Sequence, residues 1–477
     1  MEGDIVTRNV VVLCLDTVRA DFFRLFAPRL RERAGIVYEG CRAASGWSTP
    51  SHASMLTGQL PHEHGVHSRA PSFDALDSEK TIIGDLSTHR AVGVSANVYA
   101  GSTYGFDSLF DEFVDVSRYR RFPDALDPAA FVREHAEAGP EKYLALARAV
   151  ATDDRPLASL ANVALYRAND AVRHGPLSGR AELFDDGAVV CSRAATERVG
   201  TEPFFLFVNA MDAHEPQRTA RGYRKTNVPA GWDSEHVSNA DVIESPDDHA
   251  ADLRRYRTQY AAAIDYLDRW AMRFVDNLLA ATDRETTVVV TADHGENLAY
   301  PADDRLFGHV GSLSEGVLHV PLVVINPPSE LGTVSGYVSH LDLRRLIRGL
   351  ANGRVPDVTR ERAAAELLGV TPSNESLSGE RWDRLRRCVY EGNSKWVWDE
   401  SGSVQRFGLD TDRPCWQRDR SDDPTVPDWA RPNAEDGPFA VSAATAARDA
   451  DAAVSGSDAD DAVDHGVADR LRELGYR

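Results

Sequence analysis

Three strand-like runs of this sequence end in polar residues that can bind a metal ion. The polar segments that follow these runs are Asp16-Thr17-Val18-Arg19, residues 209–214 and Asp293-His294-Gly295. In open parallel sheets the carboxyl ends of the strands face a common crevice, so folding would bring the three segments together. Oxygen and imidazole ligands from Asp16, Asp293 and His294 suit a divalent cation. A lone strand-terminal aspartate is usually only a helix cap, and the prediction therefore depends on the co-occurrence of the segments.

Residues 46–58 contain a candidate nucleophile. Pro50 favours the first turn of a helix, Ser48 or Thr49 would cap it, and Gly58 would end it. A hydroxyl at a helix N-terminus lies among free N–H groups, which bind sulfate or phosphate. If a cation also touches that oxygen, Ser48 becomes a usable nucleophile. An ordinary capped helix explains the same spacing equally well, and both interpretations remain open at this point.

The apolar pattern predicts the elements that must position these residues. Short apolar runs rich in β-branched residues are separated by helical or polar stretches, and they cover residues 10–15, 91–95, 204–208, 287–291 and 320–325. This alternation favours an α/β fold with a large, mostly parallel central sheet flanked by helices. Apolar residues at three- and four-residue steps predict a long helix over residues 253–279, packed against that sheet.

The remaining segments suggest smaller units around a catalytic domain at residues 1–350. Residues 111–200 are interpreted as an insertion or lid of unknown role. We expect a helical connector over residues 351–385 and a small C-terminal strand subdomain over residues 386–430. Residues 431–465 are acidic and poor in large apolar groups, so they are predicted to be disordered, and residues 466–477 to form a terminal helix.

Composition excludes several classes of protein. The 477 residues carry 53 Lys+Arg against 74 Asp+Glu, a formal charge of -21, which disfavours nucleic acid as a partner. Five cysteines without a Cys-x-x-Cys pattern indicate neither a disulfide framework nor a zinc ribbon.

The sequence shows no signal peptide with a basic segment followed by an apolar one, and no apolar run of about 20 residues. We therefore expect a cytoplasmic protein without a transmembrane segment. Abundant aspartate with only four lysines is typical of a salt-adapted archaeal protein.

Several motifs in order resemble the sulfatases of the alkaline phosphatase superfamily. They are Asp16-Thr17-Val18-Arg19, residues 48–58, Asp293-His294-Gly295, Gly308-His309 and residues 315–321. The resemblance covers roughly residues 8–345, and residues 389–398 and 406–412 are similar to the small strand subdomain of these enzymes. It implies an alkaline-phosphatase-like fold.

The resemblance also implies roles for single residues. Ser48 falls where sulfatases have the residue that is converted to formylglycine, so it is the expected nucleophile. The implied metal ligands are Asp16, Thr17, Ser48, Asp293 and His294, with Thr17 in place of the second acidic ligand. His214 and His309 fall near positions that contact the substrate oxyanion or protonate the leaving oxygen. His52 replaces the signature arginine, and we include it among the expected catalytic residues.

The implied activity is metal-dependent hydrolysis of a small-molecule or glycan sulfate ester. Calcium is the implied cation, with manganese, magnesium or zinc as alternatives because of the imidazole ligand. The departures at His52 and His294 favour a different activity on the same scaffold, that of a phosphodiesterase, phosphonate hydrolase or phosphoglycerol-type transferase, with an unmodified Ser48. A catalytically silent glycan-binding relative is the second alternative.

Overall fold

The computed structural model describes residues 7–117, 120–135, 141–173, 179–309, 311–370, 382–420 and 424–455. Its strands are β1 (Asn9–Leu15), β2 (Ile36–Arg42), β3 (Arg90–Ser95), β4 (Glu112–Asp115), β5 (Phe204–Ala210), β6 (Thr286–Thr291), β7 (Asn297–Leu298), β8 (Phe307–Gly308), β9 (Leu322–Ile325), β10 (Gly332–Ser339), β11 (Arg362–Leu368), β12 (Leu385–Glu391), β13 (Ser394–Asp399), β14 (Val404–Leu409) and β15 (Gln417–Asp419).

An eight-stranded sheet in the order β10-β2-β9-β6-β1-β5-β3-β4 forms the centre of the molecule. Strands β1, β3, β4, β5 and β6 run parallel, whereas β9 is antiparallel to β6 and β2. All five predicted runs are strands, and the mostly parallel sheet is confirmed. Every residue of β1, β5 and β6 is buried, as expected of strands covered by helices on both faces.

The helices are α1 (Ala20–Phe26), α2 (Pro28–Arg33), α3 (Ser48–Thr57), α4 (Pro61–His64), α5 (Ile82–Asp85), α6 (Pro128–Glu134), α7 (Glu141–Thr152), α8 (Pro156–Arg173), α9 (Ala188–Arg198), α10 (Asn239–Glu244), α11 (Ala250–Ala281), α12 (Glu315–Leu318), α13 (Leu343–Ala351) and α14 (Ala443–Ser455). The predicted long helix is α11, which extends a few residues beyond both predicted ends. Helix α9 lies in the segment interpreted as an insertion, and it packs against β3 and β5. In the part of the chain that is described, no helix is long and apolar enough to cross a membrane.

A second, antiparallel sheet follows in the order β11-β12-β13-β14-β15, which agrees with the predicted C-terminal strand unit. The predicted helical connector over residues 351–385 is wrong at Arg362–Leu368, which form β11 and pair with β12. Its three alanines favour a helix locally. However, six of its seven residues are buried, so pairing with β12 and packing on both faces decide the conformation.

The predicted disorder over residues 431–465 is also wrong in part, because residues 443–455 form α14. Small side chains let this helix approach β12 closely, and Ala443, Ala446 and Ala447 are buried. The predicted terminal helix at residues 466–477 lies outside the described residues.

Candidate active site

The carboxyl ends of four neighbouring strands bring the candidate site together. Asp16 follows β1, Asn97 follows β3, Asn209 lies at the end of β5, and Asp293 and His294 follow β6. One ligand atom from each of Asp16, Asp293 and His294 lies within 4.8 Å of the others, and all three side chains are fully buried. The edge of the sheet therefore gathers these three predicted ligands around one centre.

Hydrogen bonds fix both carboxylates while leaving one oxygen of each without a partner. Asp16 Oδ2 accepts from Asn97 Nδ2 at 2.6 Å. Asp293 Oδ1 accepts from the backbone N–H groups of His294 at 2.9 Å and Thr17 at 3.3 Å. Among the described residues no hydrogen-bond donor reaches Asp16 Oδ1 or Asp293 Oδ2. Buried carboxylate oxygens are costly to leave unsatisfied, so this pair of oxygens is suited to a cation.

The electrostatics of the carboxylate pair also indicate a cation. Burial raises the pKa of Asp16 well above its ordinary value, and the charge of Asp293 raises it further. Burial would raise the pKa of Asp293 as well, but His294 and His52 outweigh it and hold that pKa below its ordinary range. Two carboxylates this close repel each other unless a positive charge lies between them. The donor set of two oxygens and an imidazole nitrogen therefore fits a divalent cation.

His294 presents its outer ring nitrogen to this centre. Its Nδ1 donates to the backbone oxygen of Gly295 at 2.9 Å, so Nε2 keeps its lone pair. Burial lowers the pKa of His294, which keeps the ring neutral. Nε2 lies 3.3 Å from Ser48 Oγ and 3.4 Å from Asp293 Oδ2. Ser48 therefore lies beside the three predicted ligands.

Ser48 is held at the first turn of α3. Trp47 occupies the capping position and Ser48 begins the helix, so the predicted cap at Ser48 or Thr49 is wrong. The Ser48 hydroxyl is instead engaged by the site, since Asn97 Nδ2 donates to its Oγ at 2.9 Å. Gly58 ends the helix with φ 75°, as predicted.

Asn97 is the main residue that sequence reasoning missed. Its amide nitrogen reaches both Asp16 and Ser48, and its Oδ1 accepts from Tyr99 N at 2.7 Å. The same strand-end pattern that identified the other ligands was available, because Asn97 follows the predicted strand at residues 91–95. Asn209 Nδ2 adds a longer bond of 3.4 Å to Asp16 Oδ2.

His52 lies behind the site. Its Nδ1 is 2.7 Å from the backbone oxygen of Ser48, and Asn209 Nδ2 lies 3.3 Å from its Nε2. The ring packs edge-on against Phe106 and Phe207 and is fully buried. Burial lowers the pKa of His52. This neutral ring braces the first turn of α3, and its catalytic role stays a prediction.

The predicted histidines His214 and His309 flank the centre. The His309 ring lies 4.6 Å from that of His294 and 5.2 Å from that of His214. Burial lowers the pKa of His214 to about 3 and also lowers that of His309. Glu296 Oε1 lies 3.4 Å from His309 Nδ1, and sequence reasoning had missed this carboxyl. Burial raises the pKa of Glu296 to about 8.

Three further residues shape the backbone around the site. Thr17 has φ 59°, and its hydroxyl donates to the Asp16 backbone oxygen. Its role as a metal ligand stays a prediction. Arg19 pairs with Asp303 at 3.0 Å and donates to the Glu296 backbone oxygen, so it braces the segment that follows β6. At Gly295 an added Cβ would lie 2.2 Å from the Gly316 oxygen, so only glycine allows this approach.

Comparisons with known proteins identify the family. The family model described as Sulfatase matches residues 8–353. An uncharacterized sulfatase, YidJ of Escherichia coli strain K12, is 23% identical over 168 residues, which is 33% of each chain. The alignment thus spans only a third of that relative's length.

Solved structures share the fold at low sequence identity. One is a protein in complex with its substrate D-glucosamine-2-N,6-O-disulfate, with a TM-score of 0.54 and 12% identity over 84% of this chain and 91% of that one. Another is the phosphonate monoester hydrolase of Agrobacterium radiobacter, with a TM-score of 0.55 and 15% identity over 84% and 89%. Because the family model matches residues 8–353, which is most of the chain, the chain belongs to the sulfatase family.

Proposed function

We propose that this chain is a metal-dependent hydrolase that cleaves sulfate esters through a nucleophile at Ser48. The observation that carries the proposal is the position of Ser48 Oγ, which lies 3.3 Å from His294 Nε2 and accepts from Asn97. The cation would be held by Asp16, Asp293 and His294, and it would supply charge neutralisation for the transferred group and lower the pKa of the hydroxyl. Calcium is proposed first, with manganese, magnesium and zinc as alternatives.

The side chains of the site have separate tasks in this scheme. Asn97 orients Ser48 Oγ for in-line attack on the sulfur atom, and the free N–H groups at the start of α3 hold the oxygens of the transferred group. The nucleophile attacks as the alkoxide after its hydroxyl proton has passed to solvent. A bond from its oxygen to sulfur forms as the bond between sulfur and the ester oxygen breaks, and the leaving oxygen takes up a proton that His214 or His309 relays from solvent. When the nucleophile is a formylglycine hydrate, its second hydroxyl then loses a proton, the aldehyde re-forms and sulfate is expelled. Burial of these groups excludes water from the attacking oxygen.

Hydrolysis of phosphodiesters or phosphonate monoesters is the second candidate function. It is favoured by His52, because a buried neutral ring against Phe106 and Phe207 occupies the place of the signature arginine. A sulfate ester of serine has no easy route to collapse. A formylglycine hydrate, in contrast, expels sulfate by re-forming its aldehyde. A phosphoseryl intermediate can instead be attacked directly by water.

Two measurements separate these functions. Release of 4-nitrophenol from an aryl sulfate, an aryl phosphodiester and an aryl phosphonate gives the preferred ester, and the intact mass of the peptide containing Ser48 shows its state. Conversion to formylglycine lowers that mass by about two units.

Ser48→Ala should abolish turnover of every ester while the chain stays folded. Turnover retained by Ser48→Ala contradicts the covalent mechanism. Tight cation binding by wild type without hydrolysis of any of the three esters supports the silent glycan-binding alternative.

A further inference from the structure

A cavity lies away from the candidate active site, between α1, α11 and residues 412–416. Its volume is about 850 Å³, which is within the usual range for sites of small organic ligands. As far as the described residues define its lining, neither Ser48 nor the predicted metal ligands belong to it. We call it the arginine-aromatic cavity, and the residues that define it are Phe22, Arg24, Leu25, Arg257, Tyr300 and Trp416.

One wall of the arginine-aromatic cavity is apolar. Leu25 of α1 lines it and is 68% exposed, next to Phe22 and the half-buried Phe26. Opposite them Tyr300 and Trp416 stack with ring centroids 6.2 Å apart. Leaving Leu25 and the partly exposed rings of Phe26, Tyr300 and Trp416 in water costs free energy that an apolar ligand would recover by covering them.

The cavity also contains positive charge without a counter-ion. Arg257 holds its guanidinium 4.1 Å from the centre of the Tyr300 ring and donates through Nε to the Leu298 backbone oxygen at 2.8 Å. Burial lowers the pKa of Arg257. Within the described part of the chain no carboxylate forms an ion pair with Arg257 or Arg24, whereas Arg224 and Arg269 nearby are both paired with Asp265.

The acidic residues of the same lining are mostly neutralised by other arginines. Asp21 pairs with Arg19 at 2.9 Å, and Asp265 pairs with Arg224 and Arg269, each at 3.1 Å. Asp412 stands exposed at the rim, where solvent screens its charge. The buried part of the cavity therefore carries the positive charge of Arg257, with Arg24 at its exposed edge, although the whole chain has a formal charge of -21.

We propose that the arginine-aromatic cavity binds a small organic anion whose apolar body lies against Phe22 and Leu25 and whose charged group lies against Arg257 and Arg24. An inorganic anion would leave the apolar wall in water. A neutral apolar molecule would desolvate Arg257 without compensation, and a cation would be repelled. A carboxylate, sulfonate or phosphate on an aromatic or aliphatic body satisfies both halves of the cavity.

The test is calorimetric titration of the full chain with naphthalene-1-sulfonate at constant salt. Wild type should bind it more tightly than inorganic sulfate or 1-naphthylmethylammonium, because only the sulfonate uses both walls. Arg24→Gln and Arg257→Gln should each weaken binding about tenfold. Arg257→Gln also removes the hydrogen bond to the Leu298 backbone oxygen and could disturb the local structure. The Arg24 side chain is exposed and donates no such bond, so Arg24→Gln keeps the test valid in that case. Arg148→Gln, an exposed arginine on α7, is the matched control.

Binding should also be independent of the candidate active site. Asp293→Asn should bind naphthalene-1-sulfonate as wild type does, so the result stands whether or not the proposed hydrolysis is correct. The proposal is overturned if the cationic naphthalene binds equally well. It is also overturned if wild type binds no naphthalene-1-sulfonate, if both arginine variants bind like Arg148→Gln, or if Asp293→Asn abolishes binding.

Discussion

Asn97 shows how strongly the site depends on a neutral side chain. Its amide nitrogen lies 2.6 Å from Asp16 Oδ2 and 2.9 Å from Ser48 Oγ, so one group sets the relative position of a predicted ligand and the predicted nucleophile. Hydrogen bonds to charged groups contribute about 1.5–3 kcal/mol. Misplacement of Ser48 therefore has a large predicted effect on rate.

Asn97→Asp tests this role. The new carboxylate keeps the acceptor for the Tyr99 N–H but loses the donor to Asp16 and Ser48, and it adds a third negative charge. We expect kcat to fall by about 10- to 100-fold on the preferred ester, with the fold retained by circular dichroism. Asn393→Asp changes an exposed residue in the same way and should have the wild-type rate. A rate for Asn97→Asp within twofold of wild type would exclude the positioning role.

Sequence reasoning found the predicted metal ligands of the site and missed Asn97 and Glu296. Asp16, Asp293 and His294 stand out because their side chains suit a metal and each follows an apolar strand. Asn97 follows a predicted strand as well, but an amide is a common turn residue and carries no such signal. The sequence also gives no orientation for His52, whose ring turns toward Phe106 and Phe207 only because α3 packs on them.

At the scale of elements, the central sheet was predictable and the C-terminal segments were not. Long apolar runs such as β1 and β5 leave little choice of structure, since both faces are buried. In contrast, β11 and α14 are both rich in alanine, and alanine favours a helix wherever packing does not decide. β11 is a strand because it pairs with β12, and α14 is ordered because its alanines fit against that same strand.

Ala446→Glu tests whether α14 is packed. Ala446 is buried, so a glutamate there must overpack the contact with β12 or bury a charge, and we expect the free energy of unfolding to fall by about 1–3 kcal/mol. Urea denaturation followed by tryptophan fluorescence measures this change. Ala452→Glu places the same residue on the exposed side of the helix and should be within about 0.5 kcal/mol of wild type. Equal stability of the two variants would contradict the packed helix.

At the scale of the whole molecule, the charge of -21 predicts a dependence on salt. Self-repulsion among exposed carboxylates destabilises the folded chain at low ionic strength, and about 1 M salt shortens the screening length to about 3 Å. The melting temperature should therefore rise between 0.05 M and 2 M KCl. Sucrose at equal osmolality separates screening from solute exclusion and should give a smaller rise. Equal melting temperatures at both salt concentrations would remove the proposed salt adaptation.

Buried neutral histidines predict a loss of stability in acid. Val66 N donates to His64 Nδ1 at 3.0 Å, so the ring carries its proton on Nε2 near Ser54 Oγ, and burial lowers its pKa to about 3. In the unfolded chain the ring takes up a second proton and becomes charged near pH 6.5, whereas in the folded chain it does so only near pH 3. Stability from this residue is complete above pH 6.5 and is lost as the pH falls toward 3.

Between pH 7.5 and pH 5.0, His64 should account for about 2 kcal/mol of the decrease in unfolding free energy. Urea denaturation at both pH values should show a smaller decrease for His64→Gln than for wild type. His236→Gln changes a histidine whose side chain is 56% exposed and should behave like wild type. The same decrease in all three proteins would assign the acid sensitivity to other groups.

One divalent cation held by Asp16, Asp293 and His294 is the feature on which the proposed chemistry depends. Calorimetric titration of the chelator-treated chain with calcium, manganese, magnesium and zinc tests it most directly. Wild type should bind one ion of the preferred metal per chain, and Asp293→Asn should lose that binding while remaining folded, with the exposed Asp412→Asn unchanged. Wild-type stoichiometry and affinity in Asp293→Asn would contradict the site.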